Sequence, residues 1–327
     1  MEKGTLGELY LNRSVTKHIR KHNKDLICGG AVSSDCALFS VAEGNMASSE
    51  GWGATPLIAW VKAMNNLYAV GAKPVGVRIQ MMLPCQVEES DIKIFMQEFN
   101  SMADGEDLQI MGGHTQVSDA YTVPTFFVSV LGRLMDYIPR PKAVTAGDKI
   151  IMTKWAGILG NDILVEKKQE RLKKTLPESY VKGGFFGRES YQIKEESMAA
   201  IALDDKVCYM HDISAGGVYS GLWQLGARLG KGVRIDHYKI PIKQETIEFS
   251  QAFDINPYML DGTGALLIVA KQGDVVLQSL GEKNIPATII GEITQEKDRV
   301  VVLGEGREKR FLAPAKGDEI YKVVSIY

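Results

Sequence analysis

At 327 residues the chain is longer than one hydrophobic core usually organises, so two domains are expected. Its 38 basic residues nearly balance 40 acidic ones, which argues against nucleic acid or an anionic membrane as partner. No apolar run reaches membrane-spanning length, the opening MEKGTLGELYLNRS lacks the apolar core of a signal peptide, and Cys28, Cys36, Cys85 and Cys208 form no C-x-x-C pair, so the sequence reads as cytoplasmic with reduced thiols.

In chain order, the first marked segment is basic. His18 and His22 are four apart and would share a helical face, as a metal site uses, but Lys17, Arg20, Lys21 and Lys24 surround them. The segment reads as a solvated helix, or else as an arm that folds onto a bound polyphosphate. DLICGG and the strand CALFSVAEG flank a turn at Ser33-Ser34-Asp35. PLIAWVKAMNNLYAV predicts a helix over 56–70, capped by Thr55, opened by Pro56 and closed at Gly71, with Leu57, Ala63, Met64, Leu67 and Val70 as its buried stripe. PVGVRIQMML follows as a strand, then an amphipathic helix over 88–104 with Ser90 as cap.

LQIMGG is the next predicted strand, ending in a turn at Gly112-Gly113-His114-Thr115, and TVPTFFVSVLGRL is another. PRPKAVTAGDKI, residues 139–150, marks a boundary between an N-terminal domain of 1–145 and a C-terminal domain of 146–327. Beyond it, DKIIMT reads as strand, ILGNDILVEKKQERLKKT and ESYQIKEESMAAIAL as helices, and VCYMHDI as a strand entering a second glycine pair, Gly216-Gly217. GVYSGLWQLGARLG is a helix, GVRID, GALLIVA and ATIIGEIT are strands, and His237 falls in a loop. The loose alternation is that of an α/β or α+β chain.

The stretches that can carry chemistry are the polar turns at Ser33–Asp35, Gly112–Thr115 and His211–Gly217. Backbone N–H groups of a glycine turn make an anion nest, and magnesium needs only a few oxygen ligands beside a phosphate. A lone glycine pair or a lone aspartate is equally well explained by turn geometry alone. No Walker-A loop, dinucleotide-binding glycine fingerprint or G-x-S-x-G elbow occurs.

Taken in order, the turns are similar to those of the PurM-like (AIR synthase-related) superfamily of ATP-dependent enzymes. The superfamily includes aminoimidazole ribonucleotide synthetase, thiamine-monophosphate kinase, selenophosphate synthetase and the hydrogenase maturation protein HypE. The likeness spans roughly residues 25 to 320. The family's G-D-D-A-A-V opening is echoed at Ser33–Leu38, and its N-x-x-D-x-A-x-x-G-A-x-P helix end at Asn65–Pro74. Its G-G-[DEH]-T is at Gly112–Thr115 and its D-[VI]-[ST]-x-G-G-[LV] at Asp212–Val218. Its G-x-G-A-L-L is at Gly262–Leu267 and its G-x-[VI]-T at Gly291–Thr294. HypE is the nearest in style.

The resemblance implies a two-domain subunit whose N-terminal domains pair in a homodimer, with ATP in a cleft near that interface and between domains. It implies ATP and Mg2+ as cofactors and phosphoryl chemistry that activates an amide, thiocarbamoyl or similar oxygen on a small-molecule or protein-borne acyl acceptor. A maturation partner protein comes with the HypE likeness. Carried over by position, Asp35, Asp212 and Glu43 would hold magnesium, with Asp35, Asp212 and His114 at the reacting centre. Gly112 and Gly113 would bring N–H groups to phosphate, and Thr115, Asn66 and Ser214 would contact the nucleotide.

The sequence departs from the family at Ser34 and Asn66, where the pattern has aspartates, and at His114, where an acid is common. Each change removes a negative charge, weakening Mg2+ binding by about 1 kcal/mol or more at an effective dielectric near 20. That pattern leaves open a regulatory, non-catalytic nucleotide-binding homodimer. HypE-type proteins end in a Pro-Arg-Ile-Cys type tail whose thiolate carries the group to be dehydrated, whereas the sequence here ends DEIYKVVSIY.

Overall fold

The computed structural model describes residues 13–15, 26–28, 36–41, 44–135, 139–304, 308–314 and 317–325. The Ser33–Asp35 turn, Glu43 and the basic segment holding His18 and His22 lie outside the described residues. The elements up to Leu134 fall in one compact unit and those from Pro141 onward in another.

The first unit contains β1 (Leu26–Cys28), β2 (Cys36–Val41), β3 (Gly44–Gly53), α1 (Pro56–Ala69), β4 (Ala72–Leu83), α2 (Glu89–Gly105), β5 (Gln109–Val117) and β6 (Thr125–Leu134). The strands form one sheet in the order β1-β2-β3-β6-β4-β5, antiparallel except for the β4–β5 pair at one edge. Helix α1 forms as its punctuation predicts. Thr55 Oγ1 accepts the Ile58 N–H at 3.3 Å, Pro56 sits in the first turn, and Gly71 takes φ of 76°. The narrow stripe read from the sequence is too small. Ile58, Trp60, Val61 and Tyr68 are buried as well, while Leu57 and Val70 are only half-buried. The helix presses on β3 so closely that a Cβ on Gly51 would lie 2.4 Å from the Ala59 carbonyl. Helix α2 starts two residues earlier than a Ser90 cap implies: Glu88 is the cap, and its N–H donates to the Asp91 carboxylate at 3.0 Å. Phe95 and Phe99 of α2 meet Phe126 of β6 edge-on, which fixes that helix to the sheet.

The second unit contains β7 (Lys149–Thr153), α3 (Ile158–Leu172), α4 (Glu178–Gly183), α5 (Lys194–Ile201), β8 (Val207–Ile213), α6 (Gly217–Leu229) and β9 (Gly232–Asp236). It continues with α7 (Gln244–Ala252), β10 (Ala265–Ala270), α8 (Gly273–Glu282), β11 (Ala287–Thr294), β12 (Arg299–Leu303) and β13 (Glu308–Phe311). The sheet order is β13-β12-β9-β11-β7-β10-β8, with only β9–β12 parallel. Both sheets are mixed and mainly antiparallel, the α+β form of the expected class. β10 reads ALLIVA and every residue in it is buried, as an unbroken apolar run in a strand paired on both sides requires.

The helix expected over 189–203 is broken. Arg188–Tyr191 is a 3-10 turn, and α5 starts only at Lys194. Tyr191 is drawn into the core, where its hydroxyl donates to Asp162 at 2.7 Å. Lys154 Nζ donates to the Ser190 and Gln192 carbonyls at 3.2 and 2.6 Å, taking backbone acceptors that a continuous helix would use. The same ammonium pairs with Glu196 at 2.6 Å, and both side chains are largely buried.

Candidate functional site

Gly112 and Gly113 do not leave a strand; they lie inside one. β5 continues through His114 and Thr115 to Val117 in parallel register with β4. Val77 pairs with Ile110 and Arg78 with Gly112, so Met111 is the extra residue of a bulge. Gly112 takes φ of +133° there, and a Cβ on Gly113 would fall 1.6 Å from the Ile79 carbonyl oxygen. Each glycine thus has a local cause in strand geometry. From Met111 to Val117 every residue of β5 is exposed, although side chains alternate between the two faces. His114 Nε2 lies 3.3 Å from Gln116 Oε1, and Thr115 pairs across to Met81.

Asn66 lies elsewhere in the same unit. Its Nδ2 donates to the Glu50 carbonyl of β3 at 3.1 Å, and its own carbonyl accepts the Cys36 thiol at 3.1 Å. β3 and β5 are separated by β6 and β4, roughly 14 Å at ordinary strand spacing. Asn66, bonded to β3, therefore lies several strands away from His114 on β5. An aspartate at 66 would also set a carboxylate against the Glu50 carbonyl, so the amide there has a structural job.

In the second unit the glycine pair is a turn, as the sequence indicates. β8 is buried throughout and ends in Asp212-Ile213, with Asp212 opposite Leu266 of β10. His211 bonds Gln224 of α6 at 3.1 Å, so Asp212, next along the strand, faces the other side of the sheet. The Ser214 carbonyl accepts the N–H groups of Gly217 and Gly262, each at 3.1 Å, tying the end of β8 to the approach to β10. Gly216 and Gly217 take φ of 80° and 64°, and a Cβ on Gly217 would lie 2.6 Å from the Tyr258 and Leu260 carbonyl oxygens. Helix α6 starts at this turn, and its N-terminal dipole favours an anion there.

The sequence reading missed what holds the turn. Asp318 is buried; it accepts the Gly216 N–H at 2.7 Å and the Ile320 N–H at 2.8 Å. Asp261, fully buried, accepts the Thr263 N–H and hydroxyl at 2.9 and 2.6 Å. Beside α6 a cavity of about 940 Å3 opens, with Asp318 and Ser220 in its wall together with Tyr219, His237 and Tyr258. His237 is not a plain loop residue: it lies in a 3-10 turn with Nδ1 3.0 Å from the Tyr219 hydroxyl.

Among the described residues no three His, Cys, Asp or Glu side chains cluster as a metal cage. Magnesium on a nucleotide asks for less, one or two carboxylates with the phosphates supplying further oxygens. Asp212 behind the glycine turn fits that modest demand. No described helix is long and apolar enough to cross a membrane.

Residues 25–134 match the family model for the N-terminal domain of AIR synthase related proteins, and residues 145–304 match the one for their C-terminal domain. A Methanocaldococcus jannaschii protein named for hydrogenase expression and formation is 24% identical over 248 residues, covering 73% of this chain and 70% of its own. The fold is shared with solved structures. HypE in its complex with HypF aligns with a TM-score of 0.73 at 18% identity, over 87% of this chain and 94% of that one. HypE in complex with ATP aligns at 0.71 and 14% identity, over 98% and 95%.

Proposed function

The chain belongs to the AIR synthase related protein family, and on that premise we propose that it binds ATP with Mg2+ and spends the terminal phosphate on activating an amide, thiocarbamoyl or similar oxygen. The observation that carries the proposal is the turn at the mouth of α6, two successive left-handed glycines behind the buried Asp212. Likeness to a HypE that holds ATP supports it. ATP supplies the transferable phosphoryl group, and its magnesium neutralises charge on the phosphates.

In this reading Asp212 holds the metal, with Asp35 and Glu43 as the further carboxylates. The Ser214 hydroxyl and the first turn of α6 beyond Gly217 meet phosphate oxygens, since the Gly216 and Gly217 N–H groups are taken by Asp318 and the Ser214 carbonyl, and Gly112, Gly113 and Thr115 present N–H and hydroxyl donors along β5. His114, without negative charge, contacts phosphate rather than metal. The N-terminal domain is the pairing domain of a cytoplasmic homodimer. Support comes from β5, a sheet edge exposed on both faces with Met111 and Val117 nearly half accessible, the kind of edge that a second copy covers. The acceptor is a small molecule or a protein-borne acyl group, and the HypE–HypF complex supports a maturation partner protein.

The structural job of Asn66 favours a second reading, a regulatory nucleotide-binding homodimer with a reduced metal site. One experiment separates the readings. Saturating Mg-ATP, at a hundred-fold over its Kd, adds about 2.7 kcal/mol to stability, and melting is compared with phosphate release in the wild type and in Asp212→Asn. A raised Tm with turnover that Asp212→Asn abolishes supports the enzyme. A raised Tm without turnover, with or without candidate acceptors, supports the regulator. An unmoved Tm at millimolar Mg-ATP rejects both.

A further inference from the structure

The cavity beside α6 has a chemistry that the phosphate turn does not use. Its inner wall is aromatic. The Tyr219 and Tyr258 rings stack at 5.4 Å with 15° between their planes, and His237 leans on Tyr258 at 4.6 Å. The Tyr219 hydroxyl and His237 Nδ1 fix one another at 3.0 Å. Met259, Leu312 and Pro314 add apolar surface.

The carboxylates in the wall are already compensated. Asp318 accepts two backbone N–H groups, and Glu319 takes Lys322 Nζ at 2.7 Å and the Asn256 N–H at 3.2 Å. Arg310 is different. Among the described residues it meets only Glu308, through Nε at 3.0 Å, in a pair that is mostly exposed. Such a pair is weak, and the terminal guanidinium nitrogens remain available for a bidentate anion. The charge of Arg310 is felt at the aromatic wall. Burial pushes the Tyr219 phenol up to about 12 while Arg310 pulls the other way; burial first and Arg310 second depress His237. A neutral imidazole, stacked phenols and one cation with spare donors leave an anion on a flat ring as the best complement.

We propose that this cavity is a binding site for a small planar aromatic molecule bearing one carboxylate or phosphate, its ring against the Tyr219–Tyr258–His237 wall and its anion at Arg310. The proposal does not require nucleotide at the glycine turn, although Asp318 belongs to both.

The test is titration calorimetry and NMR of the full chain, following the His237 ring signals assigned through His237→Gln, with no nucleotide present. The probes are benzoate, phenyl phosphate, benzamide and cyclohexanecarboxylate. Saturable binding of benzoate or phenyl phosphate is expected, ~10-fold tighter than either the neutral or the non-aromatic control, with movement of the His237 signals. The tighter of the two anions assigns the ligand's charged group. Arg310 is exposed, so Arg310→Gln should fold normally and weaken the anions ~10-fold while leaving benzamide unchanged. Tyr258→Leu should weaken the aromatic probes selectively. The proposal is overturned if neither aromatic anion moves the His237 signals, if cyclohexanecarboxylate binds as well as benzoate, or if Arg310→Gln has no effect.

Discussion

Replacing Lys154 by methionine tests whether the buried ion pair holds the start of α5 in place. The ammonium makes three contacts, with Glu196 at 2.6 Å and with the Gln192 and Ser190 carbonyls at 2.6 and 3.2 Å. Lys154 has φ of 52°, a left-handed conformation that methionine would inherit unchanged, so backbone strain cancels from the comparison. What remains is a carboxylate at 5% side-chain exposure without its counter-charge, a loss of about 3–5 kcal/mol. Hydrogen exchange of β7 and β10 amides across a urea series reads that loss in the second unit alone. At about 2–4 °C per kcal/mol for a unit of this size, the Tm of that unit should fall by roughly 6–20 °C. Lys154→Met with Glu196→Leu removes both charges and should recover part of the loss, the remainder coming from two carbonyls left without donors, about 1–3 kcal/mol each. A single variant within about 1 kcal/mol of wild type, or a double variant no better than the single, would refute the reasoning.

Two further outcomes follow from particular atoms. Gly113→Ala should destabilise the first unit more than Gly112→Ala, because the first forces a methyl onto the Ile79 carbonyl and the second meets only open space and a strained φ, worth about 1–3 kcal/mol; equal losses in urea unfolding would exclude the bulge as the reason for the pair. His237 has a folded-state pKa below its ordinary value, chiefly through burial, so the unfolded chain takes up the proton first as pH falls. Its contribution to stability is complete above about pH 6.5 and declines below it. His237→Gln should flatten that part of the stability profile, and an unchanged slope from pH 7 to 5 would contradict the burial of the ring.

Much of the fold is written locally. Thr55, Pro56 and Gly71 punctuate α1, the run ALLIVA announces a buried strand, and Gly216-Gly217 mark the start of α6. Apart from the α2 cap, which Asp91 settles three residues on, the misses share one cause: each depends on a partner distant in the chain. Gly112-Gly113 look like a turn until β4 lies beside them and the Ile79 carbonyl fills the space of a side chain. Residues 189–203 carry helical residues, but Lys154 and Asp162 hold 190–192 in another conformation. At the candidate site the sequence marked Asp212 and the glycines, since turn residues declare themselves. It gave no sign of Asp318, which joins the turn across 102 residues, nor of the ring cluster drawn from three separate elements.

The Gly216–Asp318 bond has a consequence for how the molecule is made. β8 and α6 emerge from the ribosome long before residue 318, and until then the Gly216 N–H has only water to bind. The loop at the head of α6 therefore sets last, after both sheets have their strands. A chain ending between Phe311 and Asp318 would carry every strand of the second sheet while the mouth of α6 is still unlatched.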